Sequence, residues 1–244
     1  MIKLKNITIG HTKALYDIEH YQFEKSKIYA IIGVNGSGKS TLLQSIGNII
    51  EPINGSIELA NESQTLYMPA KPVVHPQLRV DQAVLLGLSE KKNWWQSYSQ
   101  SDFEIVRSKL TEYNISHLAD RYISELSDGQ QQKVWMAQAA LSSANVLLLD
   151  EPSGHLDPTQ SAWIFVTMHE WAKKENKCVI FASHKLDLSL QIADEILYIQ
   201  ENGIEYFSSS DDSLRSKLSQ DFSNEQISYN LSKPNQLLCL EIDS

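Results

Sequence analysis

The sequence predicts an α/β domain built around a mostly parallel sheet, and three observations carry that reading. Short apolar runs recur without alternation: Ile28-Tyr29-Ala30-Ile31-Ile32, Val146-Leu147-Leu148-Leu149 and Cys178-Val179-Ile180-Phe181-Ala182. Runs of this kind mark strands covered on both faces. The first leads straight into a glycine-rich turn and the helical stretch Ser40-Thr41-Leu42-Leu43-Gln44-Ser45-Ile46, the opening of a β-α-β unit. Ahead of it, residues 2–9 and 20–23 alternate apolar and polar, as antiparallel strands with one wet face do.

The remaining elements follow in order. Pro52-Ile53-Asn54-Gly55 is turn chemistry before the strand-like Ser56-Ile57-Glu58-Leu59. Thr65-Leu66-Tyr67-Met68 reads as another strand, and Pro69, Pro72 and Pro76 exclude regular structure just beyond it. Helical spacing then dominates near residues 80–88, 102–113 and 129–141, so a helical insertion at about residues 71–142 interrupts the α/β core. A helix starts at Pro158, and residues 195–199 and 204–207 flank an Asn202-Gly203 turn of hairpin type. The core domain is expected to span residues 1–207. Residues 208–244 read as a loosely packed tail, with 237–242 returning as an edge strand.

Composition narrows the function classes. The 244 residues are 42% hydrophobic and 21% charged, which excludes a disordered or collagen-like chain. A net charge of −9 argues against a nucleic-acid partner, which needs a basic face. No apolar run approaches the roughly 18–20 residues that span a bilayer, and the N-terminus lacks a signal-peptide pattern. The chain is expected in the cytoplasm, with Cys178 and Cys239 as separate reduced thiols.

The glycine-rich turn carries chemistry. Gly33-Val34-Asn35-Gly36-Ser37-Gly38-Lys39-Ser40-Thr41 fits G-x-x-x-x-G-K-[ST]. Phosphate recognition needs backbone N–H groups turned inward by a tightly curved loop, at the positive end of a helix. Lys39 is placed to reach the β- and γ-phosphates of a nucleotide, and the Ser40 hydroxyl to hold Mg²⁺. Asp150 and Glu151 end an apolar strand, where parallel sheets bind ligands. Asp150 is the candidate for the metal shell, and Glu151 for orienting or deprotonating an attacking water.

A further motif makes the chain resemble a known family. Leu126-Ser127-Asp128-Gly129-Gln130 opens a helix upstream of Asp150, Ser153-Gly154-His155-Leu156-Asp157 follows it, and Ser183-His184 follows the next strand. In this order, with the P-loop, they resemble an ATP-binding cassette (ABC) ATPase. The resemblance implies a P-loop NTPase cassette with a RecA-like parallel core, an N-terminal antiparallel β subdomain and a helical signature subdomain. It also implies a head-to-tail dimer with two ATP molecules sandwiched between the copies. Ser127, Gly129 and Gln130 of one copy then face the γ-phosphate in the other's P-loop, and His184 joins Glu151 at that phosphate. Asp157 has a second role written in Asp157-Pro158-Thr159-Gln160, an N-cap with Gln160 at N3 of a capping box.

The chain departs from that family at three places. Ala70 stands where relatives carry a Gln that touches Mg²⁺ and the water, which implies slower or differently coupled hydrolysis unless a water or Gln77 fills the gap. Asp128 replaces a signature glycine, and an extra carboxylate there is unfavourable unless it points away. The aromatic that stacks on adenine falls near His11. The signature resembles those of ATPases serving bacterial iron–siderophore, haem and cobalamin importers, which dock on a separate integral-membrane permease at the inner face of the membrane. An efflux ATPase and a soluble, non-transport ABC ATPase stay open as alternatives. Trp94, Trp95 and Tyr98 lie in the insertion that meets the permease in relatives, although packing within the subdomain explains them more simply.

Overall fold

The computed structural model describes residues 2–73, 75–91, 97–154, 156–200, 203–208, 211, 213–214 and 217–218. Its first layer is a three-stranded antiparallel sheet. Strands β1 (Ile2–Gly10), β2 (Ala14–Phe23) and β4 (Asn54–Leu59) lie in the order β2-β1-β4. Both opening strands run longer than the alternation suggests, because pairing from Ile2↔Phe23 to Gly10↔Ala14 extends through the polar residues between them.

The second layer holds β3 (Ile28–Gly33), β5 (Thr65–Met68), β6 (Val146–Asp150), β7 (Cys178–Ala182), β8 (Glu195–Gln200) and β9 (Gly203–Ser208). The order is β5-β6-β7-β3-β8-β9, parallel throughout except for the β8–β9 hairpin. Alternate residues of the central strands feed two cores. Tyr29, Ile31, Val146 and Leu148 pack with α1 (Lys39–Ile46) and the antiparallel sheet, while Ala30, Leu147, Leu149 and Phe181 pack against the helices opposite. The helices directly on the strands are α5 (Pro158–Lys173) and α6 (Leu186–Ile192), and the same cluster continues through α2 (Val80–Leu85), α3 (Gln100–Glu112) and α4 (Asp128–Leu141), which pack on one another. A fully buried Ile or Phe on these strands contributes about 1.5–3 kcal/mol by leaving water, so the sheet interior is a rigid platform for the loops at its edge.

Three details differ from the sequence reading. The helix expected over 80–88 ends as α at Leu85 and tightens to a 3₁₀ turn over Leu86–Lys91. There Gly87 abuts the Gln138 carbonyl so closely that a Cβ would stand 2.3 Å from it. The helix α6 carries no strong periodic signal and was not anticipated. The chain beyond β9 is not uniformly loose, since Leu214 and Leu218 are buried in the larger core. Residues 219–244, with Cys239 and the expected edge strand, lie outside the described residues, as do Trp94, Trp95, His155 and Asn202. Tyr98 is partly buried against the larger core, and Cys178 is buried, its thiol pushed up to about 12. Among the described residues, no helix is long and apolar enough to cross a membrane.

Candidate functional site

The strand order puts the predicted motifs side by side. Ile31 pairs with Ala182, and Ala182 pairs with Asp150. The carboxyl ends of β3, β7 and β6 are therefore neighbours, and the glycine loop, Ser183-His184 and Asp150-Glu151 emerge together. This is the edge of an open parallel sheet at which ligands bind.

Gly38 makes the turn into α1. Its φ of +99° is left-handed, so the backbone there favours glycine. Tyr16, buried under the loop, donates its hydroxyl to the Gly38 carbonyl at 3.2 Å. Lys39 is nearly buried and donates to the Gly33 and Val34 carbonyls at 2.8 and 3.0 Å. Burial lowers its pKa, while the Glu151 and Asp150 carboxylates pull the other way. A cavity of about 350 Å³ opens over the loop, lined by Asn35, Gly36, Gly38, Lys39, Ser40 and Thr41. Its other walls are His11, Leu15, Glu151 and His184. Gly33 is buried with the Ser37 hydroxyl packed against it, and Val34 is exposed.

Glu151 is held in an unusual backbone state, φ +47°, an uncommon conformation for a non-glycine residue and a mark of functional loops. Its amide donates to the Ala182 carbonyl at 3.0 Å. His184 Nε2 lies 2.9 Å from Glu151 Oε1, a close pair without hydrogen-bond alignment, and the His184 amide donates to Oε2 at 3.3 Å. Burial pushes the Glu151 carboxyl up to about 7, opposed by that amide and by Lys39. Burial and Lys39 lower the His184 pKa, opposed by Asp150. Asp150, also buried, has one oxygen, Oδ1, with no hydrogen-bond partner. A buried carboxylate oxygen left unpaired is costly and suits a cation. Asp150 Oδ1 and the exposed Ser40 hydroxyl are thus a fitting donor pair for Mg²⁺.

The signature stretch is separate. Ser127 N-caps α4 in a reciprocal capping box: Gln130 N donates to Ser127 Oγ at 3.4 Å, and Ser127 N to Gln130 Oε1 at 3.1 Å. None of Ser127, Gly129 and Gln130 lines the glycine-loop cavity. The Ser-x-x-Gln spacing is a capping signal that the motif reading passed over. Asp157 does cap α5, accepting from Gln160 N at 2.9 Å. The reciprocal half of the box expected at Gln160 is absent, because the Gln160 side chain lies against Gly129 instead, 2.1 Å from where a Cβ would stand.

Ala70 borders a second cavity of about 320 Å³ with Asp128, Gln131, Gln132, Trp135 and Glu151. Gln77 is on an exposed turn and does not line it. Asp128 faces this inner cavity of its own chain. Two further residues went unread in the sequence. Tyr67 donates to Asp150 Oδ2 at 3.3 Å. Lys185 Nζ bonds the Leu156 carbonyl at 3.1 Å and the Ser161 hydroxyl, tying the loop after β7 to the one after β6.

Comparison with known proteins agrees with this geometry. A family model described as ABC transporter matches residues 17–154. The achromobactin transport ATP-binding protein CbrD of Dickeya dadantii is 30% identical over 81% of this chain and 78% of its own length. The petrobactin import ATP-binding protein FpuD of Bacillus anthracis is 29% identical over 83% of this chain and 79% of its own. Among solved structures, a transporter described as of metal-chelate type, in an inward-facing conformation, superposes with TM-score 0.77 at 26% identity, covering 85% of this chain and 83% of that one. The cassette MJ0796, a dimer in a post-hydrolysis state with ADP and Pi, shares the fold at TM-score 0.77 and 21% identity over 86% of this chain and all of that one. This chain belongs to the ABC transporter family, as one of its ATP-binding, ATP-hydrolysing subunits.

Proposed function

We propose that two copies of this chain close head to tail around two ATP molecules, and that hydrolysis drives a separate integral-membrane permease importing a metal chelate. The observation that carries the hydrolytic part is the convergence of Lys39, Ser40, Glu151 and His184 on one cavity. The backbone N–H groups of the loop bind the phosphates, and Lys39 exchanges its two loop carbonyls for phosphate oxygens. Glu151 accepts the proton of the attacking water, whose oxygen forms the new bond to the γ-phosphorus as the bond to the ADP oxygen breaks. His184 holds that carboxylate and orients the water. Mg²⁺, held by Ser40 and Asp150, would neutralise charge on the phosphates.

Ser127 and Gly129 do not share the cavity of their own P-loop, which supports their acting on a second copy's nucleotide. The import reading rests on the printed roles of CbrD and FpuD and on the metal-chelate transporter. It places the chain at the inner face of a membrane by docking rather than by insertion. Purification of the Glu151→Gln chain from its native cells in mild detergent tests it. A stoichiometric many-spanning permease is expected; ribosomes, nucleic acid or the dimer alone would contradict it.

A further inference from the structure

The geometry points to Tyr67 as a positioning residue that anchors one oxygen of Asp150 and leaves the other for a divalent cation. This rests on the reading of Asp150 and Ser40 as the metal ligands. Tyr67 pairs in register with Leu148 of β6, and Asp150 lies two residues further along that strand. Side chains alternate across a sheet, so Tyr67, Leu148 and Asp150 share the face that packs on α1. Tyr67 belongs to the core formed there with Leu42, Leu43 and Ile46.

The hydrogen-bond polarity is determined by chemistry. Gln44 Nε2, one turn into the P-loop helix, donates to the Tyr67 hydroxyl oxygen at 3.2 Å. An amide nitrogen is a donor only, so the single phenol proton is left to point the other way. It goes to Asp150 Oδ2 at 3.3 Å. The result is a directed chain, Gln44 to Tyr67 to Asp150, ending on a carboxylate whose Oδ1 is buried and has no hydrogen-bond partner. Partners of this kind fix the orientation of a metal-binding carboxylate. They also couple the P-loop helix to the end of β6 without touching nucleotide.

Mn²⁺ titrated into the ATP-bound chain, with protein in excess over ATP and free Mn²⁺ followed by EPR, tests this. The wild type should hold Mn²⁺ more tightly than ATP alone does. Tyr67→Phe should weaken that affinity about tenfold, with metal-free ATP affinity unchanged. Gln44→Leu, which removes only the amide that turns the proton, should give a smaller loss in the same direction and decides the matter if Tyr67→Phe does not fold. Unchanged Mn²⁺ affinity in the variants, or an equal fall in metal-free ATP affinity, overturns the proposal while sparing the assignment of Asp150. If the wild type holds Mn²⁺ no better than free ATP, the metal-site reading itself fails.

Discussion

The two halves of the candidate ATP site are finished to different degrees. Around the P-loop, buried polar atoms are left without hydrogen-bond partners: Ser37 Oγ, Asp150 Oδ1 and Glu151 Oε1. At the signature, Ser127 and Gln130 satisfy each other's polar groups. The first region carries the desolvation cost of a site awaiting a ligand. The second is a stable helix terminus that is already complete as structure and offers its N-terminal end to an anion from outside the chain. On the proposed reading, one half binds alone and the other contributes only in a pair.

The sharpest way to break that contrast is through Glu151. Glu151→Gln should lower turnover by about 10²–10⁴-fold, the usual contribution of a general base, while ATP still binds and holds the copies together. Phosphate release and size-exclusion chromatography with ATP measure both. If turnover is unchanged, Glu151 is not the base. Next in size, Lys39→Ala should lower the ATP affinity of the single chain by about 10–10²-fold, the worth of a hydrogen bond to a charged group, read by fluorescent-nucleotide titration. Ser127→Asp should behave in the opposite way. Aspartate is as good an N-cap as serine, so the melting temperature and single-chain ATP binding should hold while ATP-driven dimerisation is lost to phosphate repulsion.

The smaller effects sharpen the picture. Ala70→Gln would put an amide into the cavity shared by Asp128, Gln132 and Glu151, and should change turnover and its Mg²⁺ dependence a few-fold. Unchanged values would mean that Ala70 is not a functional departure. Asp157→Ala removes a helix cap worth about 1 kcal/mol, a loss of about 2–4 °C in melting temperature for a chain of this size. Calorimetry reads it, and ATP affinity should not move.

Much of this was written in the sequence because the physics there is local. The unbroken apolar runs of β3, β6 and β7 report burial on two faces, and the glycines of the P-loop report curvature. What stayed hidden depends on register or on distant backbone. Tyr67 reads as one more aromatic in a strand until pairing with β6 puts it on the face of Asp150. The Gln160 side chain leaves its own capping box for Gly129, a contact between two helices that no local pattern encodes. Lys185 gives no sign of its partners at Leu156 and Ser161, which lie in the loop after β6 and in the first turns of α5. Glu151's left-handed backbone is likewise set by the surrounding strands, since nothing in Asp-Glu-Pro requires it.

The central claim, that each ATP is shared between a P-loop and a second copy's signature, is tested most directly by complementation. Lys39→Ala and Ser127→Asp chains are purified separately and then mixed in equal amounts with MgATP. Each alone should be nearly inactive. The mixture should regain activity, because a mixed dimer assembles one intact P-loop with one intact signature. If the mixture is no more active than its parts, or if Ser127→Asp alone turns over like the wild type, the shared site is contradicted.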